Sequence, residues 1–195
     1  MPEQKHPKPL IEELIPEYLT GKMEEIALDF IAYMRASKMP PAYRPSLRYK
    51  CNYKGKDICT ISFPRAWTNG NGNPYQDNEF GQKWMSQDKI KNNWVVIPQL
   101  YHLNEYENKI DNGMKSIIWD IKNMYFCNGC WTSNPNFPGA RDICGPRPVR
   151  TIFGKEFHGL CGRAFFWFFN PDKPTLDCIK KLLELEKQAR NESKI

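Results

Sequence analysis

The sequence predicts an α+β domain, an antiparallel sheet with helices packed on one face. Three observations predict it. Residues 47–63 alternate apolar and polar side chains, the period of a half-buried strand, with an interruption at Gly55. Residues 22–37 and 174–190 instead repeat apolar side chains at three- and four-residue steps, the period of a helix face. Two apolar runs at 94–100 and 164–169 are strand-sized, and short turns between consecutive strands favour antiparallel pairing.

Taken in order, residues 1–9 are charged and Pro-rich and are expected to form a disordered tail, with 10–195 a single α+β domain. Leu10 to Leu19 carries a short helical pattern broken at Pro16. The helix over 22–37 has an apolar face of Met23, Ile26, Ala27, Phe30, Ile31 and Met34, and Pro40-Pro41 ends it. In the hairpin, Leu47, Tyr49, Cys51 and Tyr53 alternate with Arg48, Lys50, Asn52 and Lys54, and Ile58, Cys59, Ile61 and Phe63 continue the apolar face. Cys51 and Cys59 belong to that face as small hydrophobes.

Residues 64–93 form a polar insertion longer than most loops, anchored by Trp67, Tyr75, Phe80 and Trp84. The strand WVVIPQL follows at 94–100, with Pro98 favouring an edge or a bulge. A helix is expected over about 104–125, where Asn104 and Glu107 have the spacing of an N-cap and its partner. Its buried face would be Tyr106, Ile110, Ile117, Ile121 and Tyr125, with Asn112-Gly113 a weak point. The cysteine-rich segment 126–162 crosses over to the strand AFFWFF at 164–169. NPDKP then opens a last helix at 174–190, with Leu176, Ile179, Leu182, Leu183 and Leu185 on its apolar face.

Composition narrows the function classes. The 195 residues are 41% hydrophobic and 13% aromatic, enough for a sizeable core. No apolar run approaches the roughly 18–20 residues that span a bilayer, and the start lacks the apolar stretch of a signal peptide. A cytoplasmic protein with no membrane partner is expected. The net charge of +6 permits nucleic-acid binding without demanding it, because Lys and Arg are spread along the chain. The densest basic patch is Arg141, Arg147, Arg150, Lys155 and Arg163.

Seven cysteines in a reducing compartment point to buried thiols and a metal site rather than a disulfide framework. Cys127 and Cys130 form a C-x-x-C knuckle. Cys144 lies 14 residues further and Cys161 another 17, with His158 as an alternative to Cys144. Four such ligands suit zinc, and a closed tetrahedral set is structural because no coordination position stays open. A thioredoxin-like redox pair is disfavoured, since Cys127 follows the end of a helix rather than a strand.

No nucleophile signature accompanies the central histidines His102 and His158, and no Gly-rich phosphate loop is present. The helix carboxylates Glu105, Glu107, Asp111 and Asp120 fit a solvated face, and Glu156 sits between Phe153 and Phe157. An enzyme of unassigned class is therefore the third reading. With 6 Trp, 9 Tyr and 11 Phe, the aromatic content exceeds what one small core needs. The leading reading is a small-molecule-binding module for an apolar or aromatic ligand, with Tyr49, Tyr53 and Trp94 as floor and Trp67 and Trp84 as cover. The runner-up is nucleic-acid binding by a zinc-stabilised basic loop, where Arg141, Arg147, Arg150 and Arg163 lie beside Trp131, Phe153 and Phe157.

NYKGKDIC, the WVVIP strand, NEYENKIDNGMKSIIWDI, TIFGKEFHGLC and FFNPDKPTLDCIKKLLELEKQAR together resemble a family of small cytoplasmic proteins from Firmicutes, over roughly residues 20–190. The front half also resembles the compact α+β fold of the YdhG type. These resemblances imply the fold and the cysteine cluster rather than a reaction.

Overall fold

The computed structural model describes residues 8–44, 48–63, 92–124, 149–160 and 166–192. The chain divides into two compact units, residues 1–96 with 169–173 and residues 97–168 with 174–195.

Period-two burial sets the register of the first unit's hairpin. Strands β2 (Arg48–Tyr53) and β3 (Lys56–Ser62) pair antiparallel, with Tyr49 opposite Ile61 and Cys51 opposite Cys59 on the buried face. The turn residues Lys54 and Gly55 have φ of 50° and 79°, the positive pair that a two-residue hairpin turn matching strand twist requires. The pairing shifts by one residue after Cys51↔Cys59, since the next pair is Asn52↔Asp57. Ile58 is the extra residue. This bulge is why Ile58 and Cys59, neighbours in sequence, are both fully buried.

On the other side of β2 lies β1 (Pro41–Arg44), antiparallel from Pro41↔Cys51 to Arg44↔Arg48. The sequence marks Pro41 only as a helix end, but a proline is tolerated as the first residue of an edge strand. With β4 (Val95–Pro98) and β7 (Phe168–Phe169) the sheet order is β1-β2-β3-β4-β7, so all four expected strands join one sheet. Asn170 fastens the segment entering β4. Its Oδ1 accepts from Trp94 N at 2.8 Å, its N donates to Trp94 O at 3.0 Å, and its Nδ2 donates to Asn93 Oδ1 at 2.6 Å.

Two helices pack on the sheet's buried face, placing Tyr18 against Phe63 (ring centroids 5.3 Å) and Phe30 edge-on to Trp94 (6.2 Å). Contrary to the sequence pattern, α1 (Ile11–Tyr18) continues through Pro16. An interior proline costs about 3 kcal/mol. Burial of Ile11, Leu14, Ile15 and Tyr18 offsets this at roughly 1.5–3 kcal/mol for each large apolar side chain. Helix α2 (Lys22–Ala36) ends in a tight cap: Met39 N donates to Met34 O (2.8 Å) and Lys38 N to Arg35 O (3.0 Å). Met34 and Met39 are both fully buried at this end. The cap puts Lys38 at φ 60°, a position usually held by glycine.

The second unit holds a hairpin that the sequence reading folded into the cysteine segment. Strands β5 (Val149–Ile152) and β6 (Lys155–His158) pair antiparallel. Their turn is Phe153-Gly154, with φ 49° and 80°, and Phe-Gly-Lys repeats the Lys-Gly-Lys chemistry of the first hairpin. The helix expected over 104–125 is instead broken into 3-10 turns at Leu103–Glu105 and Glu107–Lys109, helix α3 (Asn112–Ile118) and a 3-10 turn at Ile121–Asn123. Aspartates decide this. Asp111 Oδ1 accepts from Met114 N (2.8 Å) and Asp120 Oδ1 from Lys122 N (3.1 Å), local bonds that compete with a continuous helix. Tyr106 and Ile110 are buried as expected, but Ile121 is 64% exposed and Ile118 supplies the core contact. In α4 (Lys173–Glu192), Leu176, Ile179, Leu182, Leu183 and Leu185 are all buried as the pattern requires. No helix among the described residues is long and apolar enough to cross a membrane.

Candidate functional site

The functional geometry of the second unit grows from the broken segment 99–123. Each 3-10 turn points polar residues outward around a buried anchor. Tyr106 and Ile110 go inward, while Asn104, Glu105 and Asn108 are exposed and Glu107 is half-buried. With Ile110 and Lys115 these four residues line an open depression of about 550 Å³, within the size range of small-molecule sites.

Lys115 joins the depression to an aromatic neighbour. Its Nζ lies 3.9 Å from Glu107 Oε1 and 5.9 Å from the Trp119 ring centroid. Lys155 lies 5.7 Å over the same indole and 5.3 Å over Phe157. The indole is fixed in place because Trp119 Nε1 donates to Ile152 O at 2.8 Å. The β5–β6 turn lies beside Glu107, for a Cβ added at Gly154 would sit 3.7 Å from Glu107 Oε1. Amides that donate and accept, two carboxylates and one ammonium are thus gathered around one opening.

Behind the 3-10 turns lies a buried ionic network. The Glu186 carboxylate on α4 is completely buried and takes four hydrogen bonds. These come from His102 N (3.1 Å), His102 Nδ1 (2.9 Å), Tyr106 OH (3.2 Å) and Arg190 Nε (2.8 Å). Arg190 also donates to Gln99 O at 3.0 Å and covers the Tyr101 ring at 5.4 Å. Burial works to raise the Glu186 pKa, but the bonds from His102 and Arg190 outweigh it and hold the carboxyl below the usual range. Burial and the Glu186 charge push the Tyr106 phenol far up. The network ties the turns carrying Asn104, Glu105, Glu107 and Asn108 to α4.

The sequence-derived site residues are placed as follows. Tyr49 and Trp94 belong to the core of the first unit, at 1% and 0% exposure. Tyr49 OH donates to Pro9 O at 3.0 Å, and its ring meets Tyr43 and Phe63 edge-on. Tyr53 is half-buried at the end of β2 with Lys54 Nζ over its ring at 5.6 Å. Trp67 and Trp84 lie outside the described residues, as do Cys127, Cys130, Cys144 and Cys161. His158 is exposed on β6 opposite Val149. Among the described residues no group of three or more His, Cys, Asp or Glu is arranged to hold a metal. Glu156, read as sitting in an apolar setting, is exposed on β6 because it points away from Phe157 on the neighbouring position.

Asn104, Asn108 and Lys115 escaped the sequence reading because a solvated helix face has the same local composition. Glu186 and Arg190 escaped it too, though a signal exists: both fall on the α4 face of Leu182, Leu183 and Ala189, four residues apart. The chain matches no protein-family model, and no curated protein and no solved structure is significantly similar to it.

Proposed function

We propose that the chain is a binding module for a small polar molecule, taken up in the depression bounded by Asn104, Glu105, Glu107, Asn108, Ile110 and Lys115. One observation carries this reading: five polar side chains from two 3-10 turns and α3 converge on an opening of ligand size. With Tyr49 and Trp94 committed to the core, the reading favours a ligand with several hydrogen-bond donors and acceptors over an apolar one. Glu105 and Glu107 would accept from hydroxyl or amino groups, the Asn104 and Asn108 amides would match mixed donor–acceptor edges, and Lys115 would meet an anionic or carbonyl group. A thermal-shift screen of polar metabolites tests this, because a molecule binding only the native state raises Tm. Asn108→Ala and Lys115→Ala should each weaken a hit by about tenfold, a loss of 1.4 kcal/mol. Hits that bind both variants with wild-type affinity would place the site elsewhere.

Nucleic-acid binding is the second reading, favoured by the placement of Lys115 and Lys155 around Trp119. Phosphate contacts of this kind weaken steeply with salt, so an absence of any mobility shift at low salt removes it. Cys127, Cys130 and Cys161 with Cys144 or His158 are the ligands we propose for a structural zinc. Elemental analysis of protein purified without chelator decides that point.

A further inference from the structure

We propose that Cys51 and Cys59 form a dithiol–disulfide modification site, whose co-substrate is a low-molecular-weight disulfide. The observation is their register. Cys51 on β2 and Cys59 on β3 are direct cross-strand partners in an antiparallel pair. Residues so paired have Cα atoms about 4.5–5.5 Å apart, inside the roughly 4.4–6.8 Å that a disulfide spans. Direct partners also project to the same face, and both cysteines are fully buried there with no disulfide joining them. Most pairs of cysteines in a fold fail one of these conditions.

One local feature helps the bond close. The bulge at Ile58 directly follows the pair, and a bulge lets one strand bend and twist against its neighbour, so the sulfurs can approach without moving the rest of the sheet.

The step balances as two exchanges. The Cys51 thiolate attacks one sulfur of the small disulfide RSSR, breaking the S–S bond, forming Cys51–S–SR and releasing RS⁻. The Cys59 thiolate then attacks the Cys51 sulfur, forming the Cys51–Cys59 bond and releasing a second RS⁻. The two thiol protons end on the two RS⁻ groups. The protein dithiol is oxidised and RSSR is reduced to two RSH. Because both sulfurs are shielded, entry of RSSR requires local opening of the β2–β3 hairpin, so the rate reports that opening. The product staples β2 to β3 across the Lys54-Gly55 turn.

The test uses the full chain, reduced, freed of reductant and exposed to oxidised glutathione under native conditions. Lys54 and Lys56 lie between the two cysteines, so trypsin leaves Cys51 and Cys59 on separate peptides that only a disulfide can join. The expected result is that linked pair in the non-reduced digest, lost on reduction, together with a raised urea midpoint of the oxidised protein. Cys59→Ala should then stop at a glutathione adduct on Cys51. Stable glutathione adducts on the wild-type pair, pairing of either cysteine with another one, or two unmodified thiols when other cysteines have reacted would each overturn the proposal.

Discussion

Replacing Glu186 by alanine should be the most damaging single change in the second unit. The side chain is completely buried and accepts four hydrogen bonds, one of them from an Arg190 side chain that is itself only 6% exposed. Deleting the carboxylate removes this ion pair from the buried guanidinium and leaves neutral partners such as Gln99 O. Breaking a buried pair in this way costs about 3–5 kcal/mol, whereas a neutral hydrogen bond contributes about 0.5–1.5. Against a native stability of about 5–15 kcal/mol, that is a large share. Urea denaturation followed by circular dichroism measures it. Glu186→Met combined with Arg190→Met should recover most of the loss, since a buried pair exchanged for apolar side chains of similar volume is close to neutral. The pH dependence has a fixed sign. The folded pKa of Glu186 lies below its unfolded value of about 4.3, so its contribution is complete above that value and is lost as pH falls through the folded one. Wild type should therefore lose stability below about pH 4 more steeply than Glu186→Gln. A Glu186→Ala cost under about 1 kcal/mol, or a double variant no better than the single one, would refute the reasoning.

Lys38→Gly should stabilise the chain by about 0.5–1 kcal/mol. It removes the roughly 1–2 kcal/mol of a non-glycine residue in the left-handed region and adds back roughly 0.4–1 for the freer unfolded chain; an unchanged or lower urea midpoint would count against the cap described at φ 60°. Burial, aided by the Asp111 charge, pushes the Cys178 thiol up to about 12, so at pH 8 it should react with a thiol reagent only as fast as the protein unfolds. Rapid native-state labelling of Cys178, read by peptide mass, would show that the thiol is not shielded.

The hairpin at 48–62 was legible because each strand has one buried face, and burial of Tyr49, Cys51, Cys59 and Ile61 leaves a period-two trace in the sequence. The helices at 22–36 and 173–192 were legible for the same reason at period 3.6. Strand β1 was not, because four residues beginning at Pro41 carry too short an alternation, and their strand conformation follows from pairing with β2. Hairpin β5–β6 was hidden among Cys, Gly and Pro, although Phe-Gly-Lys repeats the turn chemistry of Lys-Gly-Lys. The depression has the sequence pattern of a solvated helix face, because Asn, Glu and Lys look alike whether solvated or gathered around an opening.

What the sequence by itself determined was local: periodicity of burial, turn residues and helix ends, and from these the α+β class with strands β2, β3, β4 and β7 and the helices at 22–36 and 173–192. Each of these follows from interactions within a few residues along the chain. What only the tertiary structure decided depends on partners far apart in sequence. Glu186 meets His102 across 84 residues, and Trp94 N meets Asn170 Oδ1 across 76. A buried glutamate and a solvated one have the same neighbours in sequence, and they differ only in what the folded chain brings against them.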